Sequence, residues 1–233
     1  MKYLSLLIVY LIPMFGWSQT GQEIIAKHRA ATGADLRANI KSMIMLVEVQ
    51  NPAAGGKMAM DLHLQRPDKI SIRTDVMGQK IVMVQNGQEF WMINPLMGAE
   101  PQSIPVAQQD QFAQAMENMD GQFADYKEHP EYYEYLGKAS LEGVEYHKVK
   151  VLNRPHVDQA IVFFDANDYF VRRMEMKIQG YDVYRTLGDY RMVSGIQMPF
   201  EISTFMDESL VSSMLIKEVK INQDIDPGLF DKP

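Results

Sequence analysis

The sequence predicts a mainly β domain with a small helical complement, an α+β fold built on one long antiparallel meander. Apolar residues alternate with a period of two through most of the chain, and tight-turn sequences separate the alternating runs. Only two segments carry the wider spacing of an amphipathic helix. A sheet of so many short strands must curl or close, because a strongly twisted open sheet cannot simply be extended.

The first segment, Met1 to Ser18, has one positive charge at Lys2 and an apolar run from Tyr3 to Phe15, and ends in Gly16-Trp17-Ser18. Small residues at the −3 and −1 positions mark a cleavable signal peptide, cut near Ser18/Gln19. The run is short of the about 20 apolar residues that a spanning helix needs, and Pro13 interrupts it. We therefore expect a signal peptide at 1–18, a single domain at 19–233 and a periplasmic location. No second apolar stretch of spanning length follows.

Thr20-Gly21-Gln22-Glu23 reads as a capping box, with Ile24, Ile25, His28 and Ala31 on one helical face and Gly33 as the stop. Strands are expected over Met58–Leu64, Lys69–Arg73 after the Pro67-Asp68 turn, and Lys80–Val84. Asn86-Gly87 is a two-residue hairpin signal, with Gln88–Ile93 as the return strand. A second helix is expected from about Pro105 to Met119, with Phe112, Met116 and Met119 on its apolar face and Gly121 behind it. Tyr132–Lys138, a turn at Leu141-Glu142-Gly143 and Val144–Leu152 form a further hairpin. Ile161–Phe164, a turn at Asp165–Asp168 and Tyr169–Ile178 form the next, and Tyr181–Arg191, Gln197–Met206 and Val211–Ile221 finish the set.

Composition removes several functions. With 0 Cys there is no disulfide, no thiolate nucleophile and no cysteine-based metal site. A formal charge of −7 without a Lys/Arg cluster argues against nucleic acid as a partner. The histidines His28, His63, His129, His147 and His156 show no metal-ligand spacing, so no metal is expected. Asp165-Ala166-Asn167-Asp168 starts like a calcium loop but lacks the later glycine and closing glutamate, which leaves a hairpin turn. No nucleophile elbow, phosphate loop or dinucleotide fingerprint occurs, so neither a catalytic residue nor a cofactor is assigned. Glu128, Glu131 and Glu134 among Tyr132, Tyr133 and Tyr135 suit sugar chemistry on paper, which keeps a hydrolase as the lesser alternative.

The apolar inventory is unusual. There are 18 methionines, many at alternating strand positions, among them Met58, Met60, Met83, Met92 and Met214. Methionine is flexible and polarisable; it fills irregular cores and also lines surfaces that accept apolar ligands of varied shape. Composition leaves both uses open.

The segment Leu62-His-Leu-Gln-Arg66-Pro67-Asp-Lys-Ile-Ser-Ile72, followed by Val84-Gln-Asn86-Gly87-Gln-Glu-Phe-Trp91-Met-Ile-Asn94-Pro95, resembles the periplasmic lipoprotein-carrier (LolA-like) family. The ending Gly195-Ile196-Gln-Met-Pro199, Ile221-Asn222 and Asp226-Pro-Gly-Leu-Phe230 is similar as well. The chain departs from the family pattern at Ile93 and Ile72, where aromatics are usual. The resemblance implies a curved, incompletely closed antiparallel β-barrel with helices plugging its concave face. It also implies binding of lipoprotein acyl chains or other lipids, an inner-membrane release complex and an outer-membrane receptor. Arg66 matches the arginine that, in the family, hydrogen-bonds to the helical lid and favours the closed, empty form.

Strand alternation then selects a lining for such a cavity: Leu62, Leu64, Ile70, Ile72 and Met83 from one part of the meander. Met92, Phe163, Met174, Met176 and Ile178 complete it. A protein-binding sensor or scaffold of the same fold, with a filled core, is the main alternative.

Overall fold

The N-terminal helix forms where the capping box places it. Thr20 Oγ1 accepts from the Glu23 N–H at 3.1 Å, and the Glu23 carboxylate accepts from the Thr20 N–H at 3.3 Å. The helix α1 (Gly21–Thr32) ends at Gly33, whose φ of 65° is the left-handed conformation of a helix stop. The computed structural model describes residues 19–76, 78–154, 157–178 and 180–232. The expected leader at 1–18, its cleavage site and His156 lie outside the described residues.

A run of strands follows: β1 (Ser42–Asn51), β2 (Gly56–Gln65), β3 (Lys69–Val76), β4 (Gln79–Asn86), β5 (Glu89–Asn94) and β6 (Gly98–Ser103). Helix α2 (Val106–Asp120) then leads to β7 (Tyr133–Leu141), β8 (Val144–Arg154), β9 (Val157–Asp165) and β10 (Val171–Ile178). The last strands are β11 (Tyr181–Val193), β12 (Ile196–Met206) and β13 (Ser209–Ile221). The Asp165–Asp168 connection is a hairpin turn, with the Asp165 carboxylate accepting from the Asn167 N–H at 2.9 Å.

All strands belong to one antiparallel sheet in the order β6-β5-β4-β3-β2-β1-β13-β12-β11-β10-β9-β8-β7. The chain enters at the centre, steps outward to the β6 edge, crosses on α2 to the far β7 edge, and steps back to the centre. The two meanders meet where β1 pairs with β13, while β6 and β7 remain at opposite ends of the sheet. The sheet curls without closing, as the sequence led us to expect.

Two strands have no counterpart in the elements read from sequence, β1 and β6. Strand β1 contains Met43-Ile44-Met45-Leu46-Val47, a continuous apolar run without alternation. Its register shift against β13 between Leu46 and Val47 interrupts the period of two. Local pattern therefore understates the strand that joins the two halves.

The helices cover the concave face. Helix α1 packs on β7, β8 and β12, burying Ile24 and Ile25 against Val149, Val162 and Phe164. Gly21 makes this approach possible, since a Cβ there would sit 2.3 Å from the Tyr133 carbonyl oxygen. Helix α2 sends Phe112 onto Ile70 and Ile72, and Met119 onto Met43, Leu64 and Ile216. On the opposite, convex face, the C-terminal segment seats Phe230, fully buried, on Val84 and Trp91. Among the described residues no helix is long and apolar enough to cross a membrane.

Candidate functional site

Packing on the concave face is incomplete between the two helices. There a cavity of about 450 Å³ runs under α2 along β1, β2 and β11–β13, a size within the about 300–1,000 Å³ of ligand pockets. Six methionines reach it: Met43, Met45, Met119, Met174, Met198 and Met214. Leu62, Leu64, Leu187, Ile202 and Ile216 complete much of its apolar wall.

Cross-strand register explains this set. In antiparallel pairing, directly opposed residues share a face. Met45 opposes Leu62, and Met43 opposes Leu64; Val49 opposes Met214, which opposes Ile202, which opposes Leu187. The result is a continuous apolar floor from β2 to β11.

Of the residues selected from sequence, Leu62, Leu64 and Met174 line the cavity. Ile70, Ile72, Met83 and Met92 share its face, because Leu62 opposes Ile72, Ile72 opposes Met83, and Met83 opposes Met92. They are spent on packing, however, in a cluster closed by Phe112 and Ile104. Met176 is likewise concave but belongs to the cluster under α1. Ile178 opposes Tyr181 at a hairpin end and is 40% exposed.

Phe163 is a correction. It opposes Arg173, whereas Val162 opposes Met174 and Ala160 opposes Met176. Phe163 therefore points to the convex side, with its ring 6.1 Å from that of Tyr146. One residue of register is enough to move a side chain through the sheet. The residues that sequence reasoning missed, Met43, Met45, Met198, Met214, Ile202 and Ile216, come from β1, β12 and β13. Alternation at Ile196, Met198, Phe200 and Ile202 was the available signal, while β1 offered none.

Arg66 sits at the end of β2, before a cis bond to Pro67. Its Nε donates to the Ile40 carbonyl at 2.7 Å, and its Nη2 pairs with Asp120, the last residue of α2. An acidic side chain at a helix C-terminus is unfavourable toward the helix dipole, and the guanidinium offsets it. The contact ties the strand end to the helix that roofs the cavity.

The polar wall is sparse. His28 is buried beneath the Phe123 and Phe164 rings, with centroids 5.8 and 5.3 Å away, and its Nδ1 lies 2.9 Å from the Tyr169 carbonyl oxygen. Burial holds its pKa down to about 4, so the ring is neutral at neutral pH. The Tyr190 hydroxyl donates to the Val171 carbonyl at 2.7 Å, and burial pushes its pKa above the usual phenol range. Burial and nearby Arg29 pull the pKa of Arg37 down, yet a guanidinium stays charged in proteins. Its side chain crosses Gly121, where a Cβ would come within 2.6 Å of Arg37 Cδ.

Glu128, Glu131 and Glu134 do not gather at this cavity. All three are exposed, Glu131 lies 3.2 Å from the His129 imidazole, and Glu134 lies 3.8 Å from Lys150. The hydrolase alternative thus has no cleft in which these carboxylates converge.

By sequence, no family model and no curated protein matches the chain. By structure, it is similar to a domain from Vibrio parahaemolyticus assigned to outer membrane lipoprotein sorting. The TM-score is 0.59 at 13% identity, over 91% of this chain and 96% of that one. A DUF1329 family protein from Desulfovibrio piger aligns with a TM-score of 0.57 at 10% identity, over 89% and 97% of the two chains. A LolA superfamily protein from Nitrosomonas europaea aligns with a TM-score of 0.56 at 15% identity, over 92% and 99%.

Proposed function

The chain has the LolA-like fold, and on that premise we propose that it is a non-enzymatic periplasmic carrier or binder of acyl chains. The lipids of lipoproteins bound for the outer membrane are the proposed cargo. The observation that carries the reading is the methionine-lined cavity between the curled sheet and α2. At roughly 30 Å³ for a group the size of a water or methylene, its volume takes a chain of about fifteen methylenes.

The energetics suit the role. Each buried CH₂ contributes about 0.8 kcal/mol, so a sixteen-carbon chain gains roughly 12 kcal/mol over exposure to water. A lipid-anchored protein crosses an aqueous compartment only if something hides those chains. Release then requires a roof that opens cheaply. Arg66–Asp120 is half-exposed, and such pairs contribute about 0–1 kcal/mol, so the roof is held by little more than its apolar packing. Flexible methionines tolerate both a filled and an emptied cavity. Handover would involve an inner-membrane release complex and an outer-membrane receptor.

The test is mass spectrometry of a solvent extract from residues 19–233 purified from the periplasm, with a fluorescent fatty-acid displacement titration alongside. Co-purifying acyl lipid and saturable displacement are expected. Neither lipid nor saturable binding would overturn the proposal in favour of a protein-binding scaffold.

A further inference from the structure

The cavity wall is electrostatically one-sided. Acidic residues outnumber Lys and Arg by 30 to 23 in the chain, yet among the described residues the lining holds two arginines, Arg37 and Arg185, and no carboxylate. The two differ in setting. Arg37 is partly buried at the α2 end, with Tyr190 and Asp120 nearby. Arg185 is exposed, and among the described residues no hydrogen bond or ion pair engages it.

Register places Arg185 in a polar row at the edge of the apolar floor. It opposes Met174 on β10 and Thr204 on β12, and Thr204 opposes Ser212 on β13. All four residues line the cavity. Directly opposed side chains have Cβ atoms about 4.5–5.5 Å apart, so the guanidinium and two hydroxyls form one short transverse rank. The next rank inward is apolar: Leu187, Ile202 and Met214. The far end is closed, with Met43, Ile196 and Met198 all buried. The polar rank therefore stands on the open side, toward the β10–β11 and β12–β13 hairpin ends.

We infer that the acyl ligand of this cavity carries an anionic head group, a carboxylate or phosphate, held by Arg185 with Thr204 and Ser212. This rests on the acyl-chain reading above and departs from its lipoprotein cargo, whose ester- and amide-linked chains carry neither group, in favour of a free fatty acid or an anionic phospholipid. A lone cation at the mouth stays hydrated when the cavity is empty, so keeping it there costs little. When a chain enters, its head group comes to rest beside that cation, while the hydroxyls supply neutral donors. A fully neutral ligand would leave Arg185 without a partner.

The experiment compares a sixteen-carbon fatty acid with the alcohol of equal chain length, at pH 8, on residues 19–233 and on Arg185→Gln. Lysophosphatidic acid and zwitterionic lysophosphatidylcholine form the phosphate arm and separate the two sources of anion. Charge-assisted hydrogen bonds make the anionic ligand about tenfold tighter than its neutral counterpart in the unaltered protein. In Arg185→Gln that ratio falls to near one, and Arg185→Lys retains part of it. Preference for the fatty acid alone assigns a carboxylate; preference for lysophosphatidic acid alone assigns a phosphate. Equal affinity for charged and neutral ligands, or a preference that survives Arg185→Gln, overturns the inference while leaving the acyl-chain reading standing. Binding of no ligand at all overturns that reading and this inference with it.

Discussion

Acid should loosen this protein through one histidine before its carboxylates titrate. Burial lowers the pKa of His28 from 6.5 to about 4 in the folded chain; unfolding returns it to the ordinary value. Between those limits the unfolded state binds more protons, so stability is fully present above about pH 6.5 and is lost as pH falls toward 4. At about 1.36 kcal/mol per pH unit, the loss is on the order of 2 kcal/mol by pH 5 and 3 kcal/mol below pH 4. The perturbation is His28→Asn, which keeps a donor near the Nδ1 position facing the Tyr169 carbonyl and removes the titration. Urea unfolding at pH 7 and pH 5 provides the assay. With a urea slope near 2 kcal/mol/M, the unaltered protein should lose about 1 M of midpoint beyond what the variant loses. Burial also lowers the pKa of His63 and His147, but both remain in the variant and cancel in the difference. An identical pH response in the two proteins would refute the reasoning, because His28 would then be titrating as a solvated group.

Four further outcomes follow from the packing. Met174→Glu sets a carboxylate directly opposite Arg185, where it pairs with the guanidinium and repels an anionic head group, and should abolish fatty-acid displacement while leaving the circular dichroism spectrum unchanged; retained displacement would remove β10 from the site. Arg66→Leu frees the end of α2, so amide exchange in 106–120 should quicken and lipid should bind more tightly, since the latched, empty protein loses the Arg66–Asp120 contact. No change in either measurement would leave Arg66 as a strand-end residue only. Phe230→Ala empties the convex-face cluster with Val84 and Trp91 and should cost about 3–5 kcal/mol by denaturant titration; a loss under 1 kcal/mol would mean that the C-terminal segment is not docked in solution. Gly21→Ala forces α1 off the Tyr133 carbonyl and should destabilise by about 1–3 kcal/mol, visible as a lower thermal midpoint.

The fold was largely legible because its signals are local. The capping box at Thr20–Glu23, the turn at Asn86-Gly87 and the alternation in β2 to β5 each depend on residues a few positions apart. The Leu62–Ile72–Met83–Met92 row shows how far such reasoning reaches, since four residues chosen by parity do share one face. It stops at irregularities. The register shift between Val171 and Arg173 breaks the parity between β9 and β10, which is why Phe163 was placed on the wrong side. Strand β1 escaped because an apolar run packed across an irregular register does not alternate.

What the sequence determined by itself was the inventory: a strand-rich chain, two helices to cover it, eighteen methionines and no cysteine chemistry. It also determined which residues face the same way within a hairpin, because side-chain direction alternates along any strand. Only the tertiary structure decided which concave residues are packed and which border empty space. Ile70 and Met174 are equally good cavity candidates by parity, but α2 lays Phe112 on the first and leaves the second beside the gap. That difference depends on where a helix lands after crossing from β6 to β7, a long-range outcome of packing that no local period encodes.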